Sequence, residues 1–109
     1  VQLEQVVFNL VLNAVQAVAS VDGERTVRVE TGDAADVVIV TVRDTGPGLG
    51  AGDPDRVFER FYTTKPTGMG VGLAISRSVV EAHGGKLWAA NDAGGGAVFS
   101  FHLPAERGD

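Results

Sequence analysis

The sequence predicts a two-layer α/β fold in which helices cover one face of a mixed, mostly antiparallel sheet. Two segments carry apolar residues at helical spacing, and four others alternate or run apolar as strands do. The elements follow one another as helix, strand pair, helix and strand pair, so that both helices can pack on one sheet. The chain has 109 residues, which fits one domain, and we assign residues 1–109 to it.

The composition excludes several classes of function. The net charge of −5 argues against nucleic acids and anionic membranes as partners, because both are bound by basic patches. No apolar run approaches the roughly 20 residues that span a bilayer, and no signal peptide is recognisable, so we expect no direct membrane contact and a cytoplasmic location. The absence of cysteine excludes disulfides, a thiol nucleophile and cysteine-ligated zinc.

The first helix is predicted over residues 2–20. Its apolar face consists of Leu3, Val6, Val7, Leu10, Val11, Ala14, Val15 and Val18. A polar stripe with spacings of four, four and three is formed by Gln5, Asn9, Asn13 and Gln16. Because the helix begins almost at residue 1, we expect the chain to start inside a larger domain.

The remaining elements follow in order. Strands are predicted over residues 26–31, 37–43, 86–91 and 97–103, and a second helix over residues 71–83. Gly32-Asp33 is predicted to begin the link of the first hairpin, and Gly84-Gly85 to end the second helix. Asp53-Pro54 is typical of the start of a short helix, with aspartate as the cap and proline in the first position.

Asn9 and Asn13 are the first candidate site residues. They lie four apart and therefore on one helix face, although asparagine is a poor residue inside helices. A neutral amide oxygen suits Mg²⁺, which takes few protein ligands and relies on phosphate oxygens. The alternative is a packing pair whose amides bond to neighbouring backbone.

Two glycine-rich segments are the next candidates. Asp44-Thr45-Gly46-Pro47-Gly48 follows a strand, where a carboxylate can accept a hydrogen bond from a planar ligand and glycines allow close approach. Gly68 to Leu73 precedes a helix, whose free N–H groups suit phosphate. An ordinary turn and a flexible connector are the respective alternatives.

The segment Phe58 to Lys65 is the fourth candidate. Phe58 and Phe61 are suited to anchor one end of a mobile polar flap, predicted over residues 62–70, on the core. Lys65 would then reach phosphate oxygens, and its alternative is a solvated surface lysine.

Taken together in this order, the motifs resemble the ATP-binding domain of bacterial two-component sensor histidine kinases, in the superfamily shared with gyrase and MutL. Asn9 to Ala14 resembles the N box, Asp44 to Gly48 the first glycine box, Phe58 to Phe61 the F box and Gly68 to Leu73 the second glycine box. The stretch Phe61 to Ile75 is most similar to the nitrogen-regulation and oxygen-sensing branch. The resemblance implies a Bergerat-type ATP-binding fold.

The resemblance also implies roles for individual residues. Asn13 is expected to coordinate Mg²⁺, with Asn9 and Lys65 as further catalytic residues. Asp44 is expected to accept from the adenine amino group. The expected nucleotide-binding set is Asn9, Asn13, Asp44, Gly46, Gly48, Leu49, Thr64, Lys65, Gly68, Met69, Gly70, Val71, Gly72 and Leu73.

The implied activity is transfer of the γ-phosphoryl group of ATP to a histidine on a separate dimerisation domain of the same kinase, which then serves a response regulator. We expect the phosphoacceptor helix and the strand that usually precedes the first helix to lie outside these 109 residues. We therefore expect a monomeric isolated domain from a homodimeric parent, with neither His83 nor His102 as the phosphoacceptor.

The sequence departs from its relatives at two positions. Many relatives carry a basic residue in place of Gln16, and many carry threonine or serine in place of Ala97. Two other functions stay open. One is a hydrolytic ATPase of the gyrase or MutL kind, whose glutamate base stands where Asn9 stands here, and an amide cannot take a proton from water. The other is a non-catalytic regulatory module, such as a degenerate kinase or an anti-sigma serine kinase.

Overall fold

A computed structural model of the chain describes residues 2–59 and 72–105. Two α-helices, α1 (Gln2–Ala19) and α2 (Gly72–Ala82), are accompanied by a 3₁₀ helix, Pro54–Phe58. The four strands are β1 (Val27–Ala34), β2 (Val37–Asp44), β3 (Lys86–Asn91) and β4 (Ala97–Pro104). Every strand and helix expected within these residues is present, which confirms the predicted fold class.

The four strands form one sheet in the order β1-β2-β4-β3. All three pairings among the described strands are antiparallel, so the mixed character expected for the sheet is not seen among them. The central position of β2 and β4 agrees with their apolar sequences, because a central strand is covered by neighbours on both sides. The edge strand β1 is mostly exposed and carries charged residues, which discourages pairing with other chains.

The predicted link of the first hairpin begins too early in the chain, although it includes the observed turn. Gly32 and Asp33 pair with Ile39 and Val38 inside the ladder, and the turn is formed by Ala35-Asp36. Ala35 accordingly has a positive φ of 53°, which is uncommon for a residue other than glycine. The apolar run of β2 begins at residue 37, and its backbone groups need partners along their whole length. Pairing therefore extends β1 through a glycine that on its own indicates a turn.

The core lies between the helices and one face of the sheet. Both helices contribute to it, and its fully buried members include Leu10 of α1, Val80 of α2 and Phe99 of β4. Phe58 at the end of the 3₁₀ helix is 6% exposed and packs edge-on against Phe99, with ring centroids 6.1 Å apart. The predicted packing of Phe58 on the core is confirmed, whereas Phe61 and the flap that the two residues were predicted to anchor lie outside the described residues.

The 3₁₀ helix begins as its sequence predicts. Asp53 caps it by accepting a hydrogen bond from the backbone N–H of Asp55 at 3.0 Å, and Pro54 occupies the first turn. Arg77 of α2 lies over the ring of Phe58, 4.9 Å from its centroid, and within 3.8 Å of the Asp55 carboxylate. These contacts join the 3₁₀ helix to α2.

Candidate functional site

The carboxylate of Asp44 is the most enclosed charged group among the described residues. Asp44 is the last residue of β2 and is 3% exposed. Its Oδ1 accepts hydrogen bonds from the backbone N–H groups of Gly46, at 2.9 Å, and Ala97, at 3.2 Å. A buried carboxylate requires such donors, and these two fix its orientation. Neither bond uses Oδ2.

The loop that follows Asp44 runs close against α1. A β-carbon at Gly46 would stand 2.8 Å from the Cβ of Ala17 and 3.0 Å from the Ala17 backbone, so no larger residue fits there without a shift. Gly48 has a φ of 83°, which favours glycine. These glycines approach protein atoms closely, whereas the close approach to a ligand that the sequence predicts for them is not tested by these contacts. Their contact with a nucleotide stays a prediction.

Asn91 holds the same loop from the other side. Its Oδ1 accepts from the backbone N–H of Leu49 at 2.7 Å, and its Nδ2 donates to the carbonyl oxygen of Gly50 at 3.0 Å. The sequence did not single out Asn91, because an asparagine before Asp-Ala-Gly-Gly-Gly is typical of a turn. Only the order of strands in the sheet brings the end of β3 next to the loop that follows β2.

The two asparagines of α1 lie on one half-buried face of the helix. The Nδ2 of Asn9 donates to the hydroxyl oxygen of Ser76 on α2 at 3.3 Å, and Ser76 is 1% exposed. This bond realises part of the packing role that the sequence left open. The bond uses the amide nitrogen of Asn9 and not its oxygen.

The asparagine face leads towards the Asp44 loop. Ala17, which contacts Gly46, lies four residues after Asn13 and eight after Asn9, and thus on the same face of α1. With a rise of about 1.5 Å per residue, the two asparagines are roughly 6 and 12 Å from Ala17 along the helix axis. The amides and the buried carboxylate therefore lie along one edge of the molecule.

The structure describes only some of the residues predicted for the second glycine box and the flap. Gly72 opens α2 and is exposed, and Leu73 is half-buried against the core. The following residues and segment lie outside the described part of the chain: Thr64, Lys65, Gly68, Met69, Gly70, Val71 and the flap 62–70. Their roles stay predictions.

In the described part of the chain, neither a carboxylate metal cluster nor a membrane span accompanies this site. Within residues 2–59 and 72–105, no group of three or more His, Cys, Asp or Glu side chains could hold a metal ion. The same residues include no helix with the length and apolar character to cross a membrane.

Residues 1–107 match the family described as "Histidine kinase-, DNA gyrase B-, and HSP90-like ATPase". The chain belongs to this family and is one of its ATP-binding domains. The sensor protein FixL of Bradyrhizobium diazoefficiens is similar to it, with 50% identity over 105 residues, which make up 96% of this chain and 21% of FixL. The chain spans between 11% and 22% of the length of eight of the curated relatives it matches.

Solved structures of histidine kinases share the fold. The nucleotide-free catalytic domain of the histidine kinase ThkA matches with a TM-score of 0.81 and 36% identity, over 94% of this chain and 66% of that one. ThkA has also been solved in complex with the response regulator protein TrrA. Full-length ShkA in complex with AMPPNP matches with a TM-score of 0.82 and 32% identity, over 99% of this chain and 22% of ShkA.

Proposed function

We propose that this domain binds Mg-ATP and donates the γ-phosphoryl group to a histidine on a separate dimerisation domain of the same kinase. The observation that carries the proposal is the buried, oriented carboxylate of Asp44 on the edge towards which the asparagine face of α1 leads. The family membership of the chain and its similarity to named sensor histidine kinases support the same function.

The Asp44 end of the site is suited to adenine. With Oδ1 engaged by two backbone N–H groups, Oδ2 is the carboxylate atom available to accept from the exocyclic amino group of adenine. A carboxylate accepts and does not donate, so it disfavours guanine, which presents an oxygen at that position.

The α1 end of the site is suited to phosphate and metal. Asn13 is the proposed ligand of Mg²⁺, through its amide oxygen, and Asn9 lies one turn away with its nitrogen bonded to Ser76. When bound, Mg²⁺ neutralises charge on the phosphate oxygens. Lys65, Thr64 and the segment from Gly68 to Leu73 are proposed to approach the phosphates from the flap.

In the proposed reaction, an imidazole nitrogen of the acceptor histidine attacks the γ-phosphorus, the bond to the bridging oxygen breaks, and ADP leaves. The domain contributes positioning and charge stabilisation, as is usual for phosphoryl transfer. We propose that the acceptor domain belongs to the same parent protein, a cytoplasmic-facing homodimer, and passes the phosphoryl group to a response regulator. The isolated domain is proposed to be monomeric.

One contact disfavours hydrolysis as the main activity. In the gyrase and MutL relatives a glutamate base stands at the position of Asn9, and here that side chain is an amide whose nitrogen donates to Ser76. An amide cannot take a proton from an attacking water. A regulatory module that binds nucleotide without phosphotransfer is the remaining alternative, and the following experiment separates it.

We expect Asn13→Ala to abolish most phosphotransfer to the dimerisation domain of the parent protein, measured with labelled ATP. Alanine favours helix more than asparagine does, so α1 should persist while a metal ligand is lost. Calorimetry should show that the Mg²⁺-dependent part of ATP binding weakens by about tenfold or more.

Gln5→Ala is the matched control, because Gln5 is an exposed amide on the same polar stripe of α1. It should transfer phosphate as the wild type does. Full transfer by Asn13→Ala would remove Asn13 from the metal role. ATP binding by the wild type with an unlabelled acceptor histidine would favour the regulatory alternative.

A further inference from the structure

We propose that Asn91 is a positioning residue for the nucleotide. It holds the backbone of Leu49 and Gly50 so that the loop after Asp44 has its binding shape before adenine arrives. This inference rests on the proposed function, since it assigns a role within the same site.

Asn91 lies in one row across the sheet with Asp44, whose carboxylate is proposed to accept a hydrogen bond from adenine. Asn91 pairs with Ala97, and the Ala97 N–H donates to Asp44 Oδ1. The three residues therefore lie side by side across β3, β4 and β2, on the face that the helices cover. Asp44 and Asn91 lie on either side of the buried Ala97. Asp44 carries the carboxylate, and Asn91 contacts the loop that follows it.

The contacts of Asn91 require an amide. Its oxygen accepts from Leu49 N–H at 2.7 Å while its nitrogen donates to the Gly50 carbonyl at 3.0 Å. Aspartate could accept from Leu49 but would set a negative oxygen against the Gly50 carbonyl. Serine is too short to reach both backbone groups. A single planar group thus fixes two consecutive residues of the loop.

The loop is shaped around this side chain. A β-carbon at Gly48 would stand 2.9 Å from Asn91 Oδ1 and 3.3 Å from the carbonyl oxygen of Gly96. The positive φ of Gly48 and the missing β-carbon together let the loop fold down onto β3 and the β3–β4 turn. Without Asn91, the bonds holding Leu49 and Gly50 in place would be replaced by bonds to water.

The expected consequence is a loss of preorganisation. Ordering a loop during binding costs free energy and so weakens the affinity. A loop that is already held in its binding shape does not carry this cost. Asn91 does not need to contact the nucleotide for this effect, because it acts through the backbone beside Asp44. Its contribution should therefore depend on the presence of the Asp44 carboxylate.

The test compares Asn91→Ala and Asn91→Asp with the wild-type chain. Calorimetry with Mg-ATP should show a Kd raised on the order of tenfold for Asn91→Ala, since two hydrogen bonds are lost. Hydrogen exchange of the Leu49 amide should accelerate in Asn91→Ala and stay slow in Asn91→Asp, which keeps the acceptor. A double-mutant cycle with Asp44→Asn should be non-additive for ATP affinity.

Thr41→Ala is the control, because it removes one side-chain hydrogen bond, to Ser100 at 3.4 Å, on the opposite face of the sheet. It should leave ATP affinity and Leu49 exchange unchanged. Unchanged ATP affinity in Asn91→Ala, or full additivity with Asp44→Asn, would overturn the positioning role. Failure of the wild type to bind ATP would instead overturn the proposed function, and this inference with it.

Discussion

At the scale of single residues, the candidate site depends on the different roles of the two carboxylate oxygens of Asp44. Oδ1 accepts from Gly46 and Ala97, so the carboxylate is held by the backbone of its own loop and of β4. Because the second contact comes from a backbone N–H, alanine at position 97 suffices for it. The threonine or serine that many relatives carry there is not needed to orient the carboxylate.

We expect Asp44→Asn to reverse part of the preference for adenine over guanine. The amide oxygen can still accept from Gly46 and Ala97, so the fold should persist, while the amide nitrogen replaces Oδ2 and meets the adenine amino group as a second donor. A charge-assisted hydrogen bond is worth about 1.5–3 kcal/mol, so the Kd for ATP should rise by roughly ten- to a hundredfold. Competition between Mg-ATP and Mg-GTP measures the ratio.

Asp92→Asn serves as the control, because Asp92 is a nearby carboxylate at the β3–β4 turn whose Oδ1 lies 3.9 Å from Arg43 Nη1. It should leave the ratio of ATP to GTP affinity unchanged. An equal ratio in wild type and Asp44→Asn would show that Asp44 does not read the base.

At the scale of elements, the proposed adenine end of the site is built by two chain segments that pack without side chains between them. A β-carbon at Gly96 would stand 1.9 Å from the carbonyl oxygen of Asp44, so the β3–β4 turn lies directly on the end of β2. The turn itself is closed by bonds from Asp92 N–H to Gly96 and from Gly95 N–H to Asp92. On the other side, Gly46 packs against Ala17 of α1.

We therefore expect Gly96→Ala to destabilise the domain by about 2–5 kcal/mol, because it combines a steric clash with a φ of 88°. Urea unfolding, followed by circular dichroism, measures the change. The neighbouring Gly94→Ala is the matched control, since a β-carbon there meets nothing within 4 Å and its φ is not positive. It should change stability by no more than about 0.5 kcal/mol. Equal unfolding midpoints for the two variants would contradict the close packing of Gly96 on β2.

At the scale of the whole molecule, the described helices lie on one face of the sheet. On the other face, Trp88 lies beside His102, with ring centroids 5.7 Å apart. The proposed nucleotide site lies at the end of the helix-covered face, where α1, β2 and the β3–β4 turn meet. A ligand bound there contacts the helical layer and the sheet together, so it should stabilise the domain as one unit.

Mg-ATP should consequently raise the melting temperature of the chain. At a free concentration one hundred times the Kd, binding adds about 2.7 kcal/mol. For a domain of this size that corresponds to a shift on the order of 10 °C in a calorimetric scan. Mg-GTP at the same concentration should produce a smaller shift. Identical melting curves with and without Mg-ATP would contradict a nucleotide site joining the two layers.

Periodicity and turn chemistry determined most of the secondary structure. The apolar spacing of α1, the strands beginning at residues 37 and 86 and the Asp53-Pro54 start all depend on neighbours a few residues away, which a sequence displays directly. The start of the first hairpin link was placed three residues too early because the ladder with β2 overrides the local preference of Gly32-Asp33.

The candidate site likewise combines residues that local sequence patterns indicate with residues that only tertiary contacts reveal. The motif order by itself identified the family, the asparagines and Asp44, because their spacing within single elements is local. Only the tertiary structure decided that Asn91, Ser76 and Gly96 support them, since these contacts join residues 42, 67 and about 50 positions apart along the chain. The strand order β1-β2-β4-β3 brings such distant residues together, and strand order is fixed by the packing of the whole sheet under its helices rather than by any local pattern.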